Sequence, residues 1–286
     1  MADHVFADAH CHSNPVSGLG AEKIAEKFKS VGGWFIALVS LPPYHYGFNE
    51  ASIDAYRKTL ELLVREVNVL RRNGLKAVLL AGFHPAEVDE YFKRGMELRE
   101  VVGLAEKVFD LIVGYHKQGL IDGIGEVGRQ HYSTAPPRLV ASELILLKAM
   151  VIARDYDMFM HLHLEQGGWV TVESINKLSK MLGLRKDRIF LHHVSINEYR
   201  WGEKEGFWYT LPAKYKTLKN SLKDKPDKAL VESDFIDDPR RPGVSSYPWD
   251  IAERITTLLK EGVIDEEYLA KIMVDNIVKA YHVEPP

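Results

Sequence analysis

Short apolar runs recur along this chain, and longer amphipathic runs fill the gaps between them. VFADAH (5–10), GWFIALVSL (33–41), KAVLLAGF (76–83), IDGIGEVG (121–128), MFMHLHL (158–164), RIFLHHV (188–194) and ALVESD (229–234) read as strands. Near-continuous apolar strands are buried on both faces, which is the pattern of a parallel sheet covered by helices. The intervals carry helical spacing. Ile24, Ala25, Phe28 and Val31 share one face of a helix over 21–31, and further helices are predicted over 50–73, from after 83 to about 118, and over 137–155, 170–183, 248–261 and 266–281. The pattern blurs over 195–228, where YTLPAK (209–214) reads as the seventh strand although Pro212 suits a strand poorly. With it, eight β/α units follow one another with no linker. They predict a (β/α)8 TIM barrel, a single domain over residues 1–286, in preference to an open doubly wound sheet.

Composition excludes several function classes. Thirty-seven basic residues stand against 40 acidic ones, a formal net charge of -3, so no global field draws the chain to nucleic acid or an anionic membrane, although a local basic groove stays compatible with that total. Cys11 is the only cysteine, so no intrachain disulfide can form, and a lone thiol fits a reducing, cytoplasmic location. MADHVFADAH lacks the basic start and apolar core of a secretory signal. No apolar run approaches the roughly 20 residues that span a bilayer. Gln occurs only at 118, 130 and 166 while Lys and Glu abound, a leaning toward thermophile composition. GIGEVG lies inside a strand with no helix N-terminus behind it, so it is not a dinucleotide fingerprint.

Chemistry in a barrel gathers at the C-terminal ends of its strands. His10 and His12 end the first strand, His84 follows the third, Glu126 sits on the fourth, His161 and His163 on the fifth, His192 and His193 on the sixth, and Glu232 and Asp234 on the eighth. Each has a plain reading when taken alone. Glu126 could pair with Arg129 in the core, either His161 or His163 could be a satisfied core histidine, and Asp234 could cap a turn. His192 and His193 point to opposite faces, so at most one reaches the barrel axis. Together they form a ring of groups that are costly to bury unless paired or coordinated. The ring therefore predicts one or two divalent metal ions. His10 and His12 would chelate one with Asp234, His161 and His192 would hold a second, and Glu126 would bridge them. Imidazole-rich donors suit Zn, Mn, Fe or Ni better than Ca, with Mg admissible where carboxylates dominate. Cys11 should point away into the barrel wall.

The same residues carry a resemblance. DAHCH (8–12) resembles the D-x-H-x-H opening of the TatD-related metal-dependent hydrolases, within the amidohydrolase superfamily. GFHP (82–85), GEVG (125–128), LHHVS (191–195) and VESD (231–234) are similar to that family's later motifs, in family order, and Asn276 matches an Asn near its C-terminus. The resemblance assigns the metal-binding histidines of the fifth and sixth strands to His161 and His192, and makes Asp234 both ligand and proton acceptor. This chain also departs from the pattern. RQHY (129–132) stands where the family has an Asp, His163 where it has an Arg, and HHVSI lacks the usual glycine. The stretch 196–217, with Trp201, Phe207, Trp208, Tyr209 and Tyr215, reads as an unusual aromatic loop. These changes mark a divergent branch.

The resemblance implies a metal-activated water attacking a phosphoester, with a small phosphoester or a single-stranded DNA 3′-end as substrate. Asp234 and Glu126 are the catalytic candidates, and His84, His163 and Arg129 the substrate contacts. Arg240 or Arg241 could pair phosphate oxygens, although DPRRPG (238–243) also reads as a solvated turn. The aromatic stretch could stack a base, form a lid or meet another subunit. No obligate protein partner is implied, and a homo-oligomer is left open. The alternative chemistry is amidohydrolase-type opening of a lactone, ester or cyclic amide by the same centre. A third reading, a non-catalytic metal-binding barrel, is disfavoured because this donor set leaves open coordination positions.

Overall fold

The computed structural model describes residues 4–241 and 246–286. Its strands are β1 (Phe6–Cys11), β2 (Gly33–Val39), β3 (Lys76–Ala81), β4 (Gly123–Gly128), β5 (Phe159–His163), β6 (Ile189–Leu191), β7 (Trp208–Pro212) and β8 (Ala229–Glu232). Each pairs in parallel with the next in chain order. The ring closes just past β8, where Asp234 N donates to His10 O at 3.0 Å and His12 N to Phe235 O at 2.9 Å. The result is a nearly closed (β/α)8 barrel. Asp238, Pro239, Arg240 and Arg241 of the DPRRPG turn are described, and Pro242 and Gly243 lie outside the described residues.

The helices are α1 (Gly20–Lys29), α2 (Ile53–Arg72), α3 (Pro85–Lys93), α4 (Leu98–Lys117), α5 (Pro136–Tyr156), α6 (Trp169–Leu182), α7 (Ile196–Glu205), α8 (Tyr215–Leu222), α9 (Asp250–Lys260), α10 (Glu266–Ala270) and α11 (Asn276–Tyr281), the last two joined by a π-helical turn (Lys271–Asp275). Two expectations are corrected. The single helix expected up to 118 is two, because Gly95 takes φ +94 and ends α3. The stretch read as an aromatic loop is α7, then β7, then the start of α8. Ser195 caps α7 by accepting from Asn197 N, Glu198 completes the capping box, and Gly206 ends it in a left-handed turn. Tyr209 is buried as a strand residue, so it cannot stack a base.

Apolar packing divides into two shells. One lies between the outer face of the sheet and the helices and includes Cys11, Ile36, Leu38, Leu79, Val127 and Leu162. The other fills the barrel from its lower end with Phe35, Val78, Leu80, Phe159 and Phe190, plugged by Ile277, Ala280 and Tyr281 of α11. The upper end of the barrel is left to the polar residues.

Candidate metal centre

Two slips in strand pairing aim ligands at the axis. From Asp8 to Cys11 the chain advances three residues while β2 advances two, Ile36 to Leu38, and the extra residue brings His10 inward. Likewise β4 advances from Ile124 to Val127 against Met160 to Leu162 on β5, which places Glu126. An inserted residue of this kind re-aims a side chain beside a site. Gly82 lets β3 approach this point closely, since a Cβ there would lie 2.2 Å from Glu126 O.

Glu126 sits at the centre and is buried. Its Oε1 lies 3.5 Å from His10 Nε2 and 3.6 Å from His12 Nε2. Its Oε2 lies 3.6 Å from His192 Nε2 and 3.5 Å from His84 Nε2. Asp234 Oδ1 is 3.8 Å from both His12 Nε2 and His192 Nε2. Ligand atoms of His10, His12 and Asp234 lie within 4.8 Å of one another, as do those of His10, Glu126 and His192, and those of His84, Glu126 and His163.

Hydrogen bonds behind the rings fix which nitrogen faces the centre. Carbonyl oxygens can only accept, so His12 Nδ1 donates to Val39 O at 2.8 Å and His163 Nδ1 to Arg129 O at 3.2 Å. Both rings then present a Nε2 lone pair inward. His192 Nδ1 is held 2.7 Å from Glu232 Oε2, a carboxylate–imidazole pair of the kind that orients metal ligands. The longest chain lies behind His10. Tyr281 Oη donates to Ala9 O at 2.9 Å, so it accepts from His161 Nε2 at 2.9 Å. His161 Nδ1 is then the acceptor for His10 Nδ1, 2.9 Å away. His10 Nε2 is left buried and without a hydrogen-bond partner, as a metal ligand requires.

This geometry departs from the expected ligand set at one position. Both nitrogens of His161 are engaged and it belongs to none of the ligand groups, whereas His163, expected to touch substrate, presents a free Nε2 at the cleft. The two share a strand face, but His161 is one layer deeper in the barrel, where it positions His10. His84 Nδ1 accepts from Ala86 N at 3.0 Å as the cap of α3, so the neutral ring carries its proton on Nε2 and offers a donor toward Glu126. Arg129 does not reach the cleft. Its guanidinium is held by Glu165 at 2.7 and 2.8 Å, Glu143 at 3.1 Å and Ser174 at 2.8 Å. Arg240 is tied to Asp238 at 2.9 and 2.7 Å, while Arg241 stands on the cleft rim. Cys11 lies in the outer shell, away from the ligand groups.

Electrostatics agree with the donor roles. Burial lowers the pKa of His10, and lowers those of His163 and His192 well below the ordinary imidazole value, keeping them neutral and ready to bind a cation. Burial alone would raise Glu126, but the ring of imidazoles facing it, His84 foremost and then His192, holds it well below the usual carboxylate range. His12 is raised in spite of burial by Asp234 and Glu126, a field that favours a positive charge at its Nε2. These residues fit a divalent pair. Asp234 has φ +50 and His193 φ +39, left-handed conformations that are uncommon for residues other than glycine. The cleft above holds about 410 Å³, with Tyr44, His45, His131, Tyr132 and His193 among its walls.

The sequence reading did not single out Tyr281, which holds His161 Nε2, or His131 on the cleft wall. Tyr281 carries no signal, as an aromatic residue in a terminal amphipathic helix reads as core.

The uncharacterized protein MJ1127 of Methanocaldococcus jannaschii is 31% identical over 283 residues, covering 97% of this chain and 95% of that protein. The TatD-like protein of Archaeoglobus fulgidus shares the fold at a TM-score of 0.63 and 17% identity, over 97% of this chain and 100% of that one. The phosphotriesterase homology protein of Escherichia coli, solved with phosphate in its active site, does so at 0.63 and 12%, over 97% and 98%. Residues 7–282 match the family described as TatD related DNase, so this chain belongs to the TatD family of hydrolases.

Proposed function

We propose that this chain hydrolyses a small phosphoester at a two-ion centre. One observation carries the reading: the two oxygens of buried Glu126 face different imidazole sets, His10 with His12 on one side and His192 with His84 on the other. A carboxylate divided in this way would serve two ions, one on each side. His10, His12 and Asp234 would hold the first ion, and His163 and His192 the second. A divalent pair, when bound, supplies a nucleophilic water near neutral pH and neutralises charge on the phosphoryl oxygens.

The protein's own residues do the rest. Asp234, at the floor of the cleft and partly exposed, accepts the proton that the attacking water loses. His84 Nε2–H points into the same space and can donate to a substrate oxygen. His161 and Tyr281 keep His10 in the one tautomer that faces the centre. Arg129 and Arg240 are spent on carboxylates, leaving Arg241 as the guanidinium among the described cleft residues. A nucleic-acid strand is bound through several phosphate contacts, so this lining suits a small phosphoester better.

The test is a substrate panel with protein stripped of metal and reloaded with Mn, Zn or Mg. Bis(4-nitrophenyl) phosphate or 4-nitrophenyl phosphate should be cleaved, and Asp234→Asn should lower the rate by about 10²–10⁴-fold. Faster cleavage of a single-stranded oligonucleotide would move the substrate to DNA. Opening of a lactone with every phosphoester left intact would overturn the proposal in favour of amidohydrolase-type chemistry.

A further inference from the structure

We propose that His131, His163 and His193 form a third, outer cation site at the mouth of the cleft, taking a borderline divalent ion such as Zn. One ligand atom from each lies within 4.8 Å of the others, as close a grouping as those of the inner centre. The His131 ring stacks on His163 at 4.4 Å and 26°, and His193 stands edge-on to them at 5.3 and 4.8 Å.

The fold holds the two outer rings in place through neighbouring atoms. Residues 130, 132 and 134 are all pinned to Asp89 of α3, through Gln130 Nε2 at 2.9 Å, Tyr132 Oη at 2.9 Å and Thr134 Oγ1 at 2.6 Å. That pinning leaves the intervening His131 on the cleft side. His193 is kept in its left-handed conformation by its N–H to Thr210 Oγ1 at 3.1 Å, and its carbonyl accepts from Gln166 Nε2 at 3.2 Å. Neither ring makes a hydrogen bond among the described residues, so each is free to turn a nitrogen lone pair inward, where His163 already presents Nε2.

The donor set decides which ion and how tightly. Three imidazoles without a carboxylate select Zn, Ni or Cu over Mg or Ca and leave positions open to water. Lacking the charge of Glu126 and Asp234, the outer site fills last and empties first. It also competes with the inner centre for His163, and the second inner ion would then keep Glu126 and His192. The outer site goes beyond the proposed hydrolysis, and its count as a third equivalent rests on the two-ion reading of the inner centre.

The test titrates metal-free full-length protein with Zn against a chromophoric chelator. Wild type should take a third, weaker equivalent, and the His131→Ala/His193→Ala protein should stop at two. His131→Ala alone, at an exposed loop position, should also lose the third equivalent without threatening the fold. Saturation of wild type at two, or a third equivalent that survives both substitutions, overturns the outer site and leaves the inner pair standing. A double variant that keeps three equivalents but loses affinity for inorganic phosphate overturns it too, making the histidines an anion pocket. If wild type takes none, the two-ion reading falls as well.

Discussion

A single imidazole here has two useful atoms, and what its second nitrogen meets decides its role. His161 and His163 are chemically identical and share a strand face, yet one is locked between His10 and Tyr281 while the other keeps a lone pair at the cleft. His161→Phe should therefore retain the full ligand set and weaken binding of the first ion by about 10–100-fold, as loss of an orienting partner does. Complete loss of one equivalent in a metal titration would instead make His161 a ligand. Arg129 makes the same point from the other side. Partners at Glu165 and Glu143 make it structural, so Arg129→Gln should cost about 1–3 kcal/mol in thermal or urea unfolding and leave KM nearly unchanged. A KM rise at unchanged stability would return it to the substrate. From the sequence, HLH on a buried strand shows that two imidazoles face inward. Their depth in the barrel depends on the register of β4 and β5, which no local pattern encodes.

Among the elements, alternation made seven strands legible because a strand buried on both faces must be apolar throughout. The seventh and its flanks were harder. WYTLP carries a proline, and α7 is so polar that its helical periodicity is weak, although its capping box S195-x-x-E198 was there to be found. The pairing slips beside His10 and Glu126 were not legible, since an inserted residue leaves the apolar pattern almost unchanged. The contact between β3 and β4 tests how finely this is set. In Gly82→Ala the new Cβ would meet Glu126 O, so the strands must separate and carry Glu126 with them. We expect about 1–3 kcal/mol of destabilisation by urea unfolding together with weaker metal retention. Unchanged metal retention would show that the site tolerates a displaced Glu126.

At the scale of the whole molecule, no helix among the described residues is long and apolar enough to cross a membrane. An ion held at the proposed centre would tie β1, β4, β5, β6 and the turn after β8 together and act as a clasp on the ring. Stripping the metal should lower the midpoint of thermal unfolding, and the shift should shrink in a His10→Ala/His12→Ala protein, which loses the first ion. Stability should also depend on pH through Glu87, a fully buried carboxyl pushed up by burial to about 7. Its folded pKa lies above its unfolded one, so its contribution is fully present below about 4.5 and is lost as pH rises through 7. In Glu87→Gln, the part of the stability–pH slope between those values should disappear, an effect on the order of 2–4 kcal/mol. A slope identical to that of wild type would place the titration elsewhere.

The sequence alone determined the class of fold and of chemistry. Burial forces apolar continuity on parallel strands, and a buried ring of histidine and carboxylate has few uses besides holding a cation. Only the tertiary structure decided where each histidine stands and what its second nitrogen meets. It set strand register, layer depth and the hydrogen bond behind each ring, and these long-range relations turned His161 to support, His163 to the cleft, and His131 with His193 to its mouth.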